Sequence, residues 1–375
     1  MIFSERDMTV LRLLCWCQYV LPEDLDGLAA KTELHNLIRL GFIKQHEKSG
    51  ALSLTKAGGA FLFEAADGAL PKTSHPYHAA LIQRRLRVSR VALTAYRAGA
   101  NVFTMSPEEL SDPFSFFLSA VTRSRGSNPW GSTRVAALAH LSDLLCAFHY
   151  VCPGIGKLAL TDELTAFNNQ TAGLRTSQRA LVFAGDSYQD VLKELEEPRP
   201  EADTRLVYYG DAYRCVQLPV HLLSCDDTGA AQLQIMATPN YRQRFTKAAL
   251  KANYQPPPKD APMWDAIFQK LPFVMAADMD LRRIDAALKT AYERGYPQIV
   301  LVALEGQADA VLLPRYRDTG KARVFLLKPD ALAEGLGRPQ ELCTPARTQY
   351  LTGKGDVIDA PPIQAAGKAG GHRHP

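Results

Sequence analysis

Apolar residues recur at helical spacing at the start of the chain and then switch to strict alternation, and that switch predicts the first elements. Met8, Leu11, Leu14 and Cys15 share one face behind Ser4, a capping residue with Asp7 three positions on, so a first helix starts there. Leu21 and Pro22 open a short acidic helix (Glu23, Asp24, Asp26) with Leu25 and Leu28 inward; proline suits a first helical position, where no amide donor is needed. Thr32 starts a third helix carrying Leu34, Leu37, Ile38 and Leu40, which stops at Gly41. The period then becomes two. Residues 42–46 and 51–54 alternate as two strands around Lys48-Ser49-Gly50, and Thr55 caps a closing helix through Ala66.

Three helices, a hairpin and a closing helix read as a winged helix-turn-helix over residues 1–66. The stretch Leu37-Ile38-Arg39-Leu40-Gly41-Phe42-Ile43, followed by Leu52-Ser53-Leu54-Thr55-Lys56-Ala57-Gly58, resembles a motif of many bacterial winged-helix proteins. The resemblance implies a recognition helix from about Lys31 to Leu40. Its outward residues Lys31, His35, Asn36 and Arg39 would reach a major groove, and Lys44, His46 and Lys48 on the wing would meet phosphate or the minor groove. Glu33 and the acidic second helix would repel phosphate. Winged helices also serve as protein-docking elements, which keeps a second class of function open.

Residues 67–100 form a basic connection. Between Gly68 and Pro107 stand Lys72, Arg84, Arg85, Arg87, Arg90 and Arg97 with no carboxylate. A helix over 77–97 places Ile82, Leu86, Leu93 and Tyr96 on one side, with Arg84 and Arg87 on the far side and Arg90 on its flank. Phosphate contact extending the wing's footprint and a plain solvated face are both consistent with that projection. A helix over 241–253 carries a second basic face, Arg244, Lys247 and Lys251, which reads as solvated, and ends in Pro256-Pro257-Pro258.

From 101 to 335 strands alternate with helices. Residues 134–141 and 144–151 are apolar runs around Ser142-Asp143, a hairpin signature. A helix over 158–170, a buried strand over 180–184 and a helix over 188–196 follow. Strand material is expected at 205–209, 213–220 and 222–223, then strands at 273–276, 299–303 and 324–327, with helices at 281–294 and 308–313. The fold class is therefore mixed α/β, a winged helix followed by a mixed-sheet domain. Residues 336–375 lose periodicity, and 352–375, rich in Gly, Ala and Pro, read as a disordered tail.

The net charge of +4 over 375 residues does not argue nucleic-acid binding by itself; the location of the charge does. No signal peptide precedes Ser4 and no apolar run approaches a bilayer-spanning length, so a cytoplasmic location and no membrane partner are expected. Seven cysteines fit reduced thiols better than a disulfide framework.

The winged helix, the basic helix, and a strand opening on Ser132-Thr133-Arg134-Val135-Ala136 resemble the replication-relaxation family of plasmids and integrative conjugative elements. The segment before the recognition helix is shorter here than in that family. The resemblance implies binding of double-stranded DNA in replication, mobilisation or transcriptional control of a mobile element. It implies replication or conjugation proteins and a second copy of the chain as partners, and a second domain like restriction endonucleases. Nuclease chemistry of that design needs an acid at a strand end and an acid-x-Lys on the next strand to hold Mg²⁺ and assist water. No Glu-x-Lys, Asp-x-Lys or Gln-x-Lys occurs in the chain, and Glu197-Pro198-Arg199 is the nearest relative. The core is therefore expected to lack that active site, and a degenerate hydrolase is the remotest reading. Cys15/Cys17, Cys146/His149/Cys152 and His75/His78 do not make ligand sets, and Pro153-Gly154-Ile155-Gly156-Lys157 lacks the Ser or Thr of a phosphate-cradling loop. No catalytic residue, metal or cofactor is expected, and a protein-interaction scaffold is the alternative function.

Overall fold

The computed structural model describes residues 3–66, 70–71, 78–123, 129–152, 159–174, 176, 178–196, 209–316, 319–337, 349–351 and 357–359. The strand expected at 205–208, the Pro153–Lys157 turn, His75 and nearly all of the tail lie outside them. Strand β1 (Phe3–Ser4) leads into α1 (Glu5–Cys17), and Ser4 and Asp7 form the expected reciprocal cap: Asp7 N–H donates to Ser4 Oγ at 3.1 Å and Ser4 N–H to Asp7 Oδ2 at 2.9 Å. The acidic second helix is a single 3-10 turn, Pro22–Leu25. Its backbone closes i→i+3 bonds and Gly27 at φ +80° ends it, so the turn never becomes α-helical. Helix α2 (Lys31–Arg39), strands β2 (Ile43–Gln45) and β3 (Leu52–Leu54), and α3 (Lys56–Ala65) complete this region. Val20 adds a bridge to Leu52 on the open edge of the hairpin.

Helix α4 (Ala79–Arg97) runs next to α1 and against the first strands of a five-stranded sheet. That sheet contains β4 (Phe114–Leu118), β5 (Val135–Leu141), β6 (Leu144–Tyr150), β7 (Gln178–Gly185) and β8 (Val220–Ser224), side by side in chain order. The first three pair antiparallel and the last three parallel. Every residue of β6 and β8 is buried, as expected of strands covered on both faces. Between these strands lie α5 (Ser119–Arg123), α6 (Leu160–Gln170), α7 (Tyr188–Glu196) and α8 (Tyr209–Cys215). Strand β4 has no counterpart among the sequence expectations. The β-type reading from Tyr209 onward is corrected: residues 209–215 are helical, with Tyr209 and Ala212 buried.

Helices α9 (Asp227–Met236) and α10 (Tyr241–Leu250) lead to a second sheet in the order β12 (Ala322–Leu326), β11 (Ile299–Ala303), β10 (Leu271–Met275), β9 (Ala266–Phe268). β10, β11 and β12 are parallel, β9 is antiparallel to β10, and α11 (Leu281–Glu293) crosses from β10 to β11. One apolar core runs without interruption from Val10 to Tyr316, and a smaller one fills the space between α10, the second sheet and the helix Pro329–Leu336. No helix among the described residues is long and apolar enough to cross a membrane.

Candidate nucleic-acid interface

Gly41, Phe42, Thr55 and Gly58 of the Leu-Gly-Phe-Ile … Leu-Thr-Lys-Ala-Gly stretch have mechanical tasks. Helix α2 ends in a Schellman cap: Gly41 adopts φ +74°, its N–H bonds Ile38 O at 2.9 Å, and Phe42 N–H reaches back to Leu37 O at 3.1 Å. Thr55 caps α3 by accepting from Gly58 N–H at 3.1 Å, while its hydroxyl donates to Gly41 O at 2.5 Å. Gly58 then packs so closely that a Cβ there would lie 2.1 Å from Phe42 O. The end of α2, the hairpin and the start of α3 are thereby fixed to one another.

On that frame Leu34 and Leu37 point into the core while Lys31, His35, Asn36 and Arg39 are exposed, as the helical period of the sequence requires. Lys44 and Lys48 on the hairpin are exposed as well. His46 is only partly exposed. Its Nε2 lies 2.8 Å from Ser53 Oγ and its ring tilts against Tyr19 at 5.1 Å. Partial burial, aided by the neighbouring Lys44 charge, lowers its pKa below the ordinary imidazole value, and its contact with Ser53 braces the hairpin.

The acids near this face are partly engaged. Glu33 turns back and accepts from Ala30 N–H at 2.6 Å, capping α2 from its third position. Asp24 sits 3.4 Å from Arg90 Nε. Glu23 and Asp26 instead line a groove of about 360 Å³ between the 3-10 turn, α2 and the hairpin, facing Lys31 and His35. Negative charge therefore borders the N-terminal end of α2, whereas Arg39, Lys44 and Lys48 have no ion pair among the described residues.

The expectation of an outward arginine row on α4 is overturned. Arg84 donates to Thr133 O, Arg85 to Gln18 Oε1 at 2.8 Å, and Arg90 to Asp24, Asp186 and Tyr150 Oη. Arg87 is half-buried, close enough to Cys152 and Tyr209 for its charge to act on both. The physical reason is that α4 has no fully exposed side from Arg84 to Arg97: Val88, Val91, Ala92 and Ala95 are buried together with Leu86 and Leu93, because α1, α9 and the sheet all contact it. Arg244, Lys247 and Lys251 do form a solvent-facing row.

A second polar cluster lies under α4. Arg123 joins Arg84 at Thr133 O, and Glu163 accepts from Arg134 N–H at 2.6 Å. Glu163 Oε2 lies 3.7 Å from His149 Nδ1, too far for a hydrogen bond, and neither atom has another partner among the described residues. Burial pushes Glu163 up to about 7, against the opposing pull of two backbone amides, Arg123 and Arg84, and pushes His149 down to about 3. Cys146 and His149 are both strand core residues. Among the described residues no group of three His, Cys, Asp or Glu side chains is placed to hold a metal ion.

No family model, curated protein or solved structure matches the chain.

Proposed function

We propose that the chain is a DNA-binding protein whose first 66 residues act as a winged helix-turn-helix. Helix α2 enters the major groove, Arg39 and Asn36 read base edges, and Lys44 and Lys48 hold the backbone. The observation that carries this reading is the joint exposure of Asn36, Arg39, Lys44 and Lys48 around a helix end locked by the Gly41 cap. Lys31 and His35 lie on the same helix but face Glu23 and Asp26, and contribute less. The wider role is that of the replication-relaxation resemblance: replication, mobilisation or transcriptional control of a mobile element, with a second copy of the chain or replication and conjugation proteins as partners.

The five-stranded sheet supports a restriction-endonuclease-like core, since a helix precedes a three-stranded meander and a crossover then leads to parallel strands. Val135–Leu141 and Leu144–Tyr150, where such chemistry would place its acids, contain no Asp or Glu, so the core is proposed as a non-catalytic platform. The rival reading, a docking module for protein, draws on exposed Leu40 and Phe63 at the ends of α2 and α3.

Anisotropy titrations on duplexes from the region upstream of the gene, over a range of salt, separate the two. Arg39→Ala is expected to lose about 1–3 kcal/mol of discrimination between duplexes. The Lys44→Ala/Lys48→Ala pair is expected to weaken all duplexes alike and flatten the logarithmic salt slope by roughly 2. Binding that ignores salt in the unaltered protein would assign the surface to protein docking.

A further inference from the structure

One unassigned feature is a cavity of about 410 Å³ where the hairpin turn of β5 and β6, the start of β8 and the N-terminal end of α10 meet the second sheet. It is within the size range of small-molecule sites. Its wall rests on one buried carboxylate. Asp278 Oδ2 accepts from Tyr241 Oη at 2.7 Å and from Arg242 Nε and Nη2 at 2.8 and 2.6 Å, and Asp278 Oδ1 faces Arg283 at 3.5 Å. Arg283 in turn pairs with Asp265 Oδ2 at 3.0 Å.

This network fixes what the wall offers. Asp278 O can only accept, so His221 Nδ1, 2.9 Å away, carries the hydrogen, and Nε2 is left as an acceptor on a side chain only 1% exposed. Asp265 Oδ2 is occupied by Arg283 and by Met275 N–H at 2.7 Å, which leaves Oδ1. Arg242 keeps Nη1 as a donor. Two carboxylates against two guanidiniums leave the wall neutral, and Asp143 stands at the rim, a combination that does not attract phosphate. Tyr254, Trp264 and Pro257 also line it. Three non-glycine residues in the left-handed region lie at the cavity or its supporting shell, Ser142 at φ +57°, Asn240 at +52° and Met279 at +53°, and strain of this kind collects at ligand sites.

We propose that this cavity binds a purine nucleoside by its base, with a guanine-type edge. Arg242 Nη1 donates to O6 or N7, the pairing arginine makes with guanine in DNA, and Asp265 Oδ1 and His221 Nε2 accept from the N1–H and the 2-amino group. The site is independent of α2 and the β2–β3 hairpin.

Calorimetric titration of the full-length protein with guanosine tests it, with adenosine, cytidine and inorganic phosphate as parallel titrants. One saturable guanosine site is expected, with adenosine and cytidine at least tenfold weaker and no phosphate binding. His221→Ala removes an acceptor, and Gln178→Trp fills the mouth from an exposed position without touching the network; each is expected to weaken guanosine at least tenfold. Gln178→Trp is also expected to retain the unaltered melting temperature, which separates loss of the site from loss of the fold. No guanosine binding by the unaltered protein, equal binding by Gln178→Trp, or a preference for phosphate would each overturn the proposal.

Discussion

At the scale of single residues, charge that reads as surface in the sequence is spent inside the molecule. Arg90 ties the 3-10 turn to the C-terminal ends of β6 and β7 through Asp24, Tyr150 and Asp186. Arg90→Ala is therefore expected to cost about 1–3 kcal/mol of stability, seen as a lower denaturant midpoint, while the salt slope of the proposed DNA binding stays unchanged. A flattened slope at unaltered stability would restore Arg90 to a phosphate-binding role. Glu163 and His149 make a second residue-scale case. A carboxyl raised from 4.5 to about 7 stabilises the fold fully below pH 4.5, and that contribution is lost as pH rises to about 7. An imidazole lowered from 6.5 to about 3 contributes above pH 6.5 and loses its contribution as pH falls toward 3. The two slopes oppose each other between pH 4.5 and 6.5. Glu163→Gln removes the first, so its unfolding free energy is expected to climb with pH across that window, by at most about 1.4 kcal/mol per pH unit, where the unaltered protein stays nearly flat. Parallel curves for the two proteins would show that Glu163 is ionised in the fold.

Elements with a clean period or an unambiguous punctuation mark were legible in the chain. The β5–β6 hairpin follows from Ser142-Asp143, α7 from the inward Val191 and Leu195, and the cap of α1 from Ser4 and Asp7. The exposed face of α2 was legible for the same reason, since Leu34 and Leu37 fix which way Arg39 points. Helix α8 was not, because its tyrosines favour strands in isolation, and the packing of Tyr209 on Phe183 of the first sheet is a tertiary contact. The outward arginines of α4 were misplaced because a helical projection orders residues around an axis without stating how many sides are covered. Sequence period also cannot reveal a close approach such as Gly58 against Phe42. Gly58→Ala is expected to displace α3 from the hairpin and cost at least about 2 kcal/mol, whereas glycine-to-alanine inside an ordinary helix stabilises. A melting temperature at or above that of the unaltered protein would mean that the backbone of Phe42 can yield.

Across the whole molecule, the core ignores the boundary that residue 66 marks in the sequence pattern. Helix α1 buries Val10, Leu13, Trp16 and Cys17, and its end is tied to the following chain: Trp16 Nε1 donates to Thr104 O at 2.9 Å, Gln18 Nε2 to Ala120 O at 3.1 Å, and Arg85 Nε to Gln18. A fragment of residues 1–66 would expose those side chains and leave the polar ends of Trp16 and Gln18 without their partners. Burying an aliphatic or aromatic side chain of this size contributes about 1.5–3 kcal/mol each, and a small domain's whole stability is about 5–15 kcal/mol, so losing several such contacts decides the outcome. The fragment is expected to lack a cooperative melt by circular dichroism. In the full chain, loss of duplex binding on heating should coincide with loss of near-ultraviolet ellipticity, because Leu34 and Leu37 of α2 share one core with Leu25 of the turn that Arg90 and Arg97 anchor to α4. An isolated 1–66 fragment that melts cooperatively and binds duplex with undiminished affinity would mean that the shared core is incidental to the proposed interface, and that α4 transmits nothing between the sheet and that face.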